Sequence, residues 1–134
     1  MTDEQLEALG RRWIAKGGDV RPGMMICDFE GALRVIAKAA PGRLYVAGGM
    51  ALDTWTVEET DWIDLSDGAT KGAALEVVRE RWGDPALCCV MDTDGAGWWA
   101  VGRWEDGLAL RGRWASTEAE ALVAALEAAP KETP

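Results

Sequence analysis

Histidine is absent from this 134-residue chain, and other residues that commonly carry out catalysis are scarce. Without histidine the chain lacks the commonest general base and the commonest transition-metal ligand. Its two serines, Ser66 and Ser116, stand where helices are predicted to begin. The three cysteines, Cys27, Cys88 and Cys89, do not have the spacing of a metal or redox motif. These absences favour a protein that is not an enzyme and that holds no cofactor and no metal.

A long apolar run and an apolar leader segment are missing as well. No run approaches the roughly 20 apolar residues of a membrane-spanning helix. The first residues, Met1 to Gln5, are acidic and are not followed by the apolar segment of a signal peptide. An odd number of cysteines without a recognisable pattern suits a reducing compartment. We therefore expect a cytoplasmic protein that does not contact a membrane.

Acidic residues outnumber basic ones by 23 to 14, which gives a net charge of −9. A protein that binds nucleic acid directly usually has the opposite balance, because phosphates are neutralised by clustered Lys and Arg. An acidic protein can instead meet a basic surface on another molecule. The charge therefore predicts a protein partner with a basic surface and no direct contact with nucleic acid.

Three segments carry helix signals, each with an N-cap residue followed by apolar residues at helical spacing. They run from Thr2 to about Lys16, from Ser66 or Asp67 to Trp82, and from Thr117 to the residue before Pro130. Thr2 with Gln5, and Thr117 with Glu120, have the spacing of a capping box.

Strand signals fill the intervals between these helices. They cover Met24–Phe29, Ala32–Ala39, Leu44–Ala47, Met50–Val57, Ala86–Met91 and two further strands between Trp98 and Trp114. Because the strand and helix runs are separated rather than strictly alternating, we expect an α+β fold. The predicted architecture is an antiparallel meandering β-sheet with about three helices packed on it, in the order helix, strands, helix, three strands, helix. One domain is expected over residues 1–130, with residues 131–134 as a frayed tail.

The stretch from Trp98 to Trp114 predicts a β-hairpin, because two runs flank the loop Glu105-Asp106-Gly107. A three-residue loop that ends in glycine is a common connection between antiparallel strands. The expected pairs are Trp104 with Leu108, Gly102 with Leu110, Ala100 with Gly112, and Trp98 with Trp114. The small residues in the middle of this face leave room for a helix to lie close against it.

The opposite face of the hairpin carries an aromatic residue and three arginines: Trp99, Arg103, Arg111 and Arg113. The expected register puts Arg113 opposite Trp99. Arg stacks on Trp by cation–π attraction and grips phosphate or carboxylate with two hydrogen bonds. This face is a candidate ligand-binding site for a nucleotide or small anion. The other interpretation is that the arginines pair with nearby acids and shield a tryptophan.

Acids are concentrated between Asp53 and Asp67, where six of them occur with two tryptophans and no Lys or Arg. The stretch is expected to be an acidic loop or an exposed edge. As a contact surface it could occupy a basic channel of a partner, with tryptophan anchors supplying most of the affinity. The candidate partner-binding residues are Trp55, Glu58, Glu59, Asp61, Trp62 and Asp64. The alternative is a solvated linker.

Two motif-like sequences before the hairpin fail on chemical grounds. Asp92-Thr93-Asp94-Gly95 resembles the start of a calcium loop, but Ala96 and Arg103 stand where oxygen ligands are required. Gly95-Ala96-Gly97 is not followed by the helix that a phosphate-binding loop needs. A turn is the better interpretation of both.

Three segments resemble small accessory proteins of tailed bacteriophages and prophages that have no assigned activity. They are the run Ile63-Asp64-Leu65-Ser66-Asp67-Gly68-Ala69-Thr70-Lys71-Gly72 with the helix that follows it, Pro22-Gly23-Met24, and Thr117-Glu118-Ala119-Glu120-Ala121-Leu122. The resemblance covers about half of the chain and consists of a turn, caps and helix packing. It implies a small phage protein that acts inside a bacterial host cell, and it transfers no catalytic residue.

The function we expect is that of a non-enzymatic, phage-encoded binding protein that inhibits a host protein, as anti-CRISPR proteins inhibit host defence. Its acidic and aromatic surface would contact a host protein that has a basic nucleic-acid-binding surface. One alternative is a protein that sequesters nucleotides or small anions on the Trp and Arg face. A second alternative is a phage structural or assembly accessory protein, and a homodimer is also left open.

Overall fold

Helices and strands follow one another in the order that the sequence predicts: helix, strands, helix, three strands, helix. The computed structural model describes residues 1–27, 33–40, 43–48, 51–55, 57, 61–92 and 97–130. All strand pairs within these residues are antiparallel, so the α+β prediction is confirmed. The elements are α1 (Asp3–Ala15), β1 (Met25–Cys27), β2 (Leu33–Ala40), β3 (Arg43–Gly48), β4 (Ala51–Trp55), β5 (Trp62–Ile63), α2 (Gly68–Trp82), β6 (Cys88–Met91), β7 (Trp99–Glu105), β8 (Gly107–Ala115) and α3 (Glu118–Ala128).

The chain groups into two compact units, Met1–Ala73 and Ala74–Pro134, with the boundary inside α2. The sequence predicted one domain from residue 1 to residue 130. A domain in this sense is a unit that unfolds cooperatively. That residues 1–130 unfold as one such unit stays a prediction. The tail predicted at residues 131–134 lies outside the described residues.

The first unit is built on a five-stranded sheet in the order β4-β3-β2-β1-β5. The strands from β1 to β4 form the predicted meander, and β5 adds to the free side of β1 by pairing Ile63 with Ile26. β5 lies inside the acidic stretch that was expected to be a loop or an exposed edge. β5 is an edge strand, as that expectation allows, but it is not exposed at Ile63, which is fully buried, or at Asp61, which is only 3% exposed.

Two glycines let α1 and the loop after it pack closely. A Cβ atom on Gly10 would collide with the backbone carbonyl oxygen of Ile63, so α1 approaches β5 at a point where no side chain fits. A Cβ atom on Gly18 would collide with the indole of Trp13. Trp13 is fully buried, and its indole N–H donates to the Asp19 carbonyl at 3.0 Å. The polar atom of this large core residue is therefore satisfied.

The N-terminus of α2 is tied to β1 through a buried hydroxyl. The Asp67 carboxylate accepts from the Thr70 N–H at 2.9 Å, which confirms Asp67 as the predicted helix cap. The Thr70 hydroxyl donates to the same carboxylate and accepts from the Met25 N–H at 2.8 Å. A single buried side chain thus joins the helix cap to the sheet of the first unit.

The second unit is a three-stranded sheet, in the order β6-β7-β8, covered by α3. Thr117 caps α3 by accepting from the Glu120 N–H at 3.2 Å, as predicted. The return bond of the predicted capping box is replaced, because the Glu120 carboxylate accepts from the Ser116 hydroxyl instead. The helix is buried on every side from Ala121 to Leu126.

The hairpin β7–β8 has the predicted register near its turn and a different one farther away. Trp104 pairs with Leu108 and Gly102 with Leu110, as expected. Beyond these pairs the register shifts, so Trp99 lies opposite Ala115 rather than Arg113. The predicted pairs of Ala100 with Gly112 and of Trp98 with Trp114 were therefore wrong.

Gly112 accounts for the shift. Its φ angle of 84° is in the left-handed region, which only glycine adopts without strain. A Cβ atom there would lie 2.9 Å from the Ala125 nitrogen, so α3 lies directly on this glycine. The close helix approach was predicted, but the bulge that accompanies it was not.

Candidate functional site

Arg103 and Arg111, two of the three hairpin arginines, converge on the carboxylate of Asp84. The Arg103 Nη1 atom lies 3.3 Å from each carboxylate oxygen, and Arg111 Nη2 lies 3.6 Å from Oδ2. The side chain of Asp84 is only 7% exposed. Arg103 also pairs with Glu105 at 2.5 Å. The two positive charges are thus matched by two negative charges inside the cluster.

Trp82, at the end of α2, completes this arrangement. The guanidinium carbon of Arg111 lies 5.2 Å from the centroid of the Trp82 ring, within the range of cation–π attraction. The Trp82 indole N–H donates to the Ala125 carbonyl at 2.9 Å. The stacked pair is therefore Arg111 with Trp82, not Arg113 with Trp99. The arginines pair with acids and one of them covers a tryptophan, which is the second of the two interpretations of this face.

Sequence reasoning missed Asp84 and Trp82 as members of this cluster. Trp82 was predicted only as the end of the second helix, and Asp84 follows that end. The cluster is assembled from the end of α2 and from β7 and β8. The sequence carries no local signal for this contact, because Asp84 lies 19 positions from Arg103 and belongs to another part of the chain.

The four residues proposed for ligand binding are therefore not one site. Arg103 and Arg111 are brought together, as the shared face predicts. Trp99 is half-buried and pairs with Met91 on one side and Ala115 on the other. Arg113 is exposed and lies within the stretch of β8 where the register shifts. An anion bound by the first pair would compete with a buried carboxylate.

The six residues proposed for partner binding also separate. Asp61 is buried, so it does not face a partner. Asp64 accepts from the Ser66 N–H at 3.0 Å and from the Ser66 hydroxyl, which forms the turn before α2. Trp62 is half-buried in β5, and Trp55 ends β4. Glu58 and Glu59 lie outside the described residues.

Exposed aromatic side chains occur on the sheet of the second unit instead. Trp104 is 69% exposed, Trp98 44% and Trp114 36%. Met91, which ends β6, is also exposed. Trp98 and Trp114 line a cleft of about 350 Å³ together with Asp92. The Asp92 N–H donates to the Trp98 carbonyl at 2.8 Å and fixes the backbone at this end of the sheet.

A second cleft, of about 280 Å³, lies beside the end of α2. It is lined by Glu76, Arg79, Glu80, Gly83, Asp84 and Pro85. Arg79 donates from Nε to the Leu87 carbonyl at 2.7 Å and forms an ion pair with Glu76, so its positive charge is already paired within the protein. Among the described residues, no three potential metal ligands come together. No helix in the described ranges has the length and apolar character to cross a bilayer.

Comparisons with known proteins give no relative. No family model, curated protein or solved structure matches this chain. The function is therefore inferred from the chemistry of the surface, and the exposed tryptophans of the second unit are its most informative feature.

Proposed function

We propose that this chain is a non-enzymatic binding protein that covers a basic surface of another protein. The observation that carries the proposal is the exposure of Trp98, Trp104 and Trp114 on one three-stranded sheet. Exposing three large aromatic side chains to water is unfavourable, and tryptophan is among the residues most enriched at binding hot spots. A partner that covers these side chains would gain most of its affinity from them.

The charge of the chain indicates the chemistry of that partner. With a net charge of −9, the protein attracts basic surfaces and repels acidic ones. Electrostatic attraction of this kind speeds association and excludes wrong partners, whereas the aromatic anchors hold the complex together. A protein with a basic nucleic-acid-binding surface has the required complementarity.

We propose further that the partner is a host protein of a bacterium and that binding inhibits it. The support is the resemblance of three segments to phage accessory proteins, together with an acidic surface that mimics the charge of nucleic acid. The most specific form of this proposal is that the chain inhibits a host defence protein, as anti-CRISPR proteins do.

The contact surface that we propose differs from the one expected from the sequence. Among the described acids of the stretch, Asp61 is buried and is not available to a partner. The tryptophans of β7, β8 and the residue before β7 are better placed. The anion-binding alternative is weaker, because Arg103 and Arg111 are held by Asp84.

The test is capture from bacterial lysate by the immobilised full-length chain, followed by native mass spectrometry of the eluate. We expect a protein that binds in a defined stoichiometry and that is captured more slowly as the salt concentration rises. The triple variant Trp98→Ala, Trp104→Ala, Trp114→Ala should lose it. Leu33→Ala, which removes an exposed side chain of the first unit, is the matched control and should retain it. Equal capture by the triple variant, or no capture by the unaltered chain, would contradict the proposal.

A further inference from the structure

The cleft between Trp98 and Trp114 has a geometry that selects one kind of ligand. Trp98 precedes Trp99 and Trp114 precedes Ala115, and Trp99 and Ala115 are an antiparallel pair. Counted from this pair, Trp98 and Trp114 are diagonal neighbours, and both line the same cleft. The register shift at Gly112 produces this arrangement, since the unshifted hairpin would have placed the two tryptophans directly opposite each other.

The spacing of such neighbours suits a flat group. Diagonal positions are about 7–8 Å apart, and van der Waals contact needs about 3.5–4 Å. At that spacing, a planar group between the two indoles would touch both. The cleft volume of about 350 Å³ leaves room for the chain that carries the group.

The charge of the cleft favours a cation. The faces of aromatic rings are negative, and tryptophan binds cations more strongly than other aromatic side chains do. Asp92 also lines the cleft and adds an acidic residue. A nucleotide base is flat as well, but its phosphates would meet this acidic residue on a chain of net charge −9. The flat cation that a protein carries at every physiological pH is the guanidinium group of arginine.

We propose that the cleft formed by Trp98, Trp114 and Asp92 binds a guanidinium group. This inference rests on the proposed function in one respect: the group would be supplied by an arginine side chain of the basic partner. Arginine is favoured over lysine, because the guanidinium is planar, is weakly hydrated and can form two hydrogen bonds with a carboxylate.

The test is a titration of the isotopically labelled full-length chain with Nα-acetyl-arginine amide, followed by the indole N–H signals in NMR spectra. We expect saturable shifts for Trp98 and Trp114 and none for Trp104, which is exposed outside the cleft. The matched probe Nα-acetyl-citrulline amide has nearly the same shape without the charge. It should bind at least about tenfold more weakly if the charge contributes as in other cation–π and charge-assisted contacts.

Variants identify the groups responsible. Trp98→Ala and Trp114→Ala should each abolish saturation, and Asp92→Asn should weaken binding several-fold, about as expected for the loss of a charge-assisted hydrogen bond. Trp104→Ala should bind the arginine probe as the unaltered chain does. Each variant is compared only if its backbone amide spectrum shows that it is folded.

Three results would overturn the guanidinium site: equal binding of the citrulline probe, shifts that spread evenly over all indoles, or unchanged binding in Trp98→Ala. Failure of this inference is distinguishable from failure of the proposed function. If the triple variant loses a captured protein but the arginine probe does not bind, only the guanidinium site is wrong. If the probe binds but no protein is captured, the protein-binding function is wrong and the cleft remains a guanidinium site.

Discussion

Tryptophan has opposite roles in the two units of this chain. In the first unit, Trp13 is fully buried, packs on Gly18 and donates its indole N–H to a backbone carbonyl. In the second unit, three tryptophans are exposed on one sheet. The contrast shows that a high tryptophan content is not itself a sign of a binding surface. In this chain the buried indole of Trp13 has a carbonyl partner and a close glycine, whereas the exposed tryptophans lie at or near the ends of strands.

The largest expected effect on stability concerns the close packing in the first unit. Gly10→Ala places a methyl group against the Ile63 carbonyl, which is backbone and cannot move aside easily. We expect a loss of about 3 kcal/mol in the free energy of unfolding, as for overpacked cores. Denaturant unfolding followed by circular dichroism measures it. Gly72→Ala, in a helix with open space around the new methyl group, is the control and should stabilise the protein slightly. A neutral Gly10→Ala variant would show that α1 does not pack closely on β5.

The next effect tests whether the charged cluster of the second unit is structural. Asp84→Asn removes the negative charge that Arg103 and Arg111 share. Removing one partner of a fully buried ion pair costs more than this variant should, because both arginines are partly exposed. We expect the free energy of unfolding to fall by about 2 kcal/mol. Thermal and denaturant unfolding provide the measurement. Glu76→Gln, which alters an exposed ion pair within α2, should change stability by less than about 0.5 kcal/mol.

The same variant separates the two interpretations of the arginine face. With Asp84→Asn, the arginines lose their carboxylate and become available to an external anion. If phosphate or a nucleotide stabilises this variant but not the unaltered chain, then the cluster is structural in the native protein. Equal stabilisation of both proteins would instead restore the anion-binding alternative.

A smaller effect is expected at the buried hydroxyl of the first unit. Thr70→Val keeps the shape of the side chain but leaves the Met25 N–H without its acceptor. The expected loss is about 1.5 kcal/mol, within the range for an unsatisfied buried donor. Thr70→Ser retains the hydroxyl and should recover most of the loss. If valine and serine variants are equally stable, the hydrogen bond contributes nothing measurable.

The smallest effect on stability is expected on the exposed side of the comparison. Trp104→Ala removes a mostly exposed side chain and should change the free energy of unfolding by no more than about 0.5 kcal/mol. Its effect should appear in the affinity for the captured partner, measured by titration calorimetry. A large loss of stability with unchanged affinity would show that Trp104 stabilises the fold and does not bind the partner, which would weaken the proposed function.

Local signals explain which parts of the fold could be predicted from the sequence. The Thr2 and Gln5 capping box forms as expected, and the caps Asp67 and Thr117 begin their helices. The glycine at the end of the hairpin loop fixed the first pairs of β7 and β8. Each of these features depends on residues close together in the chain. Such interactions can be identified without knowledge of the tertiary structure.

Features that depend on distant residues were missed. The strand β5 has only two residues, which is too short for a periodic pattern, and its position is set by pairing with β1. The bulge at Gly112 depends on the approach of α3. In the candidate sites, the shared face of Arg103 and Arg111 followed from alternation along the strands. Their acceptor, Asp84, did not, because it comes from the end of another element.

The hydrogen bond from the Met25 N–H to the Thr70 hydroxyl joins residues that are 45 positions apart. During synthesis, the strand that contains Met25 is complete long before Thr70, whose hydroxyl accepts this hydrogen bond, has been added to the chain. Closing so long a loop has an entropic cost that precedes the gain from the contact, which slows folding. The first unit therefore reaches its final hydrogen bonding only when the first turn of α2 has been made. A ribosome-bound chain that stops before residue 70 should protect the Met25 amide from hydrogen exchange less than the full-length protein does.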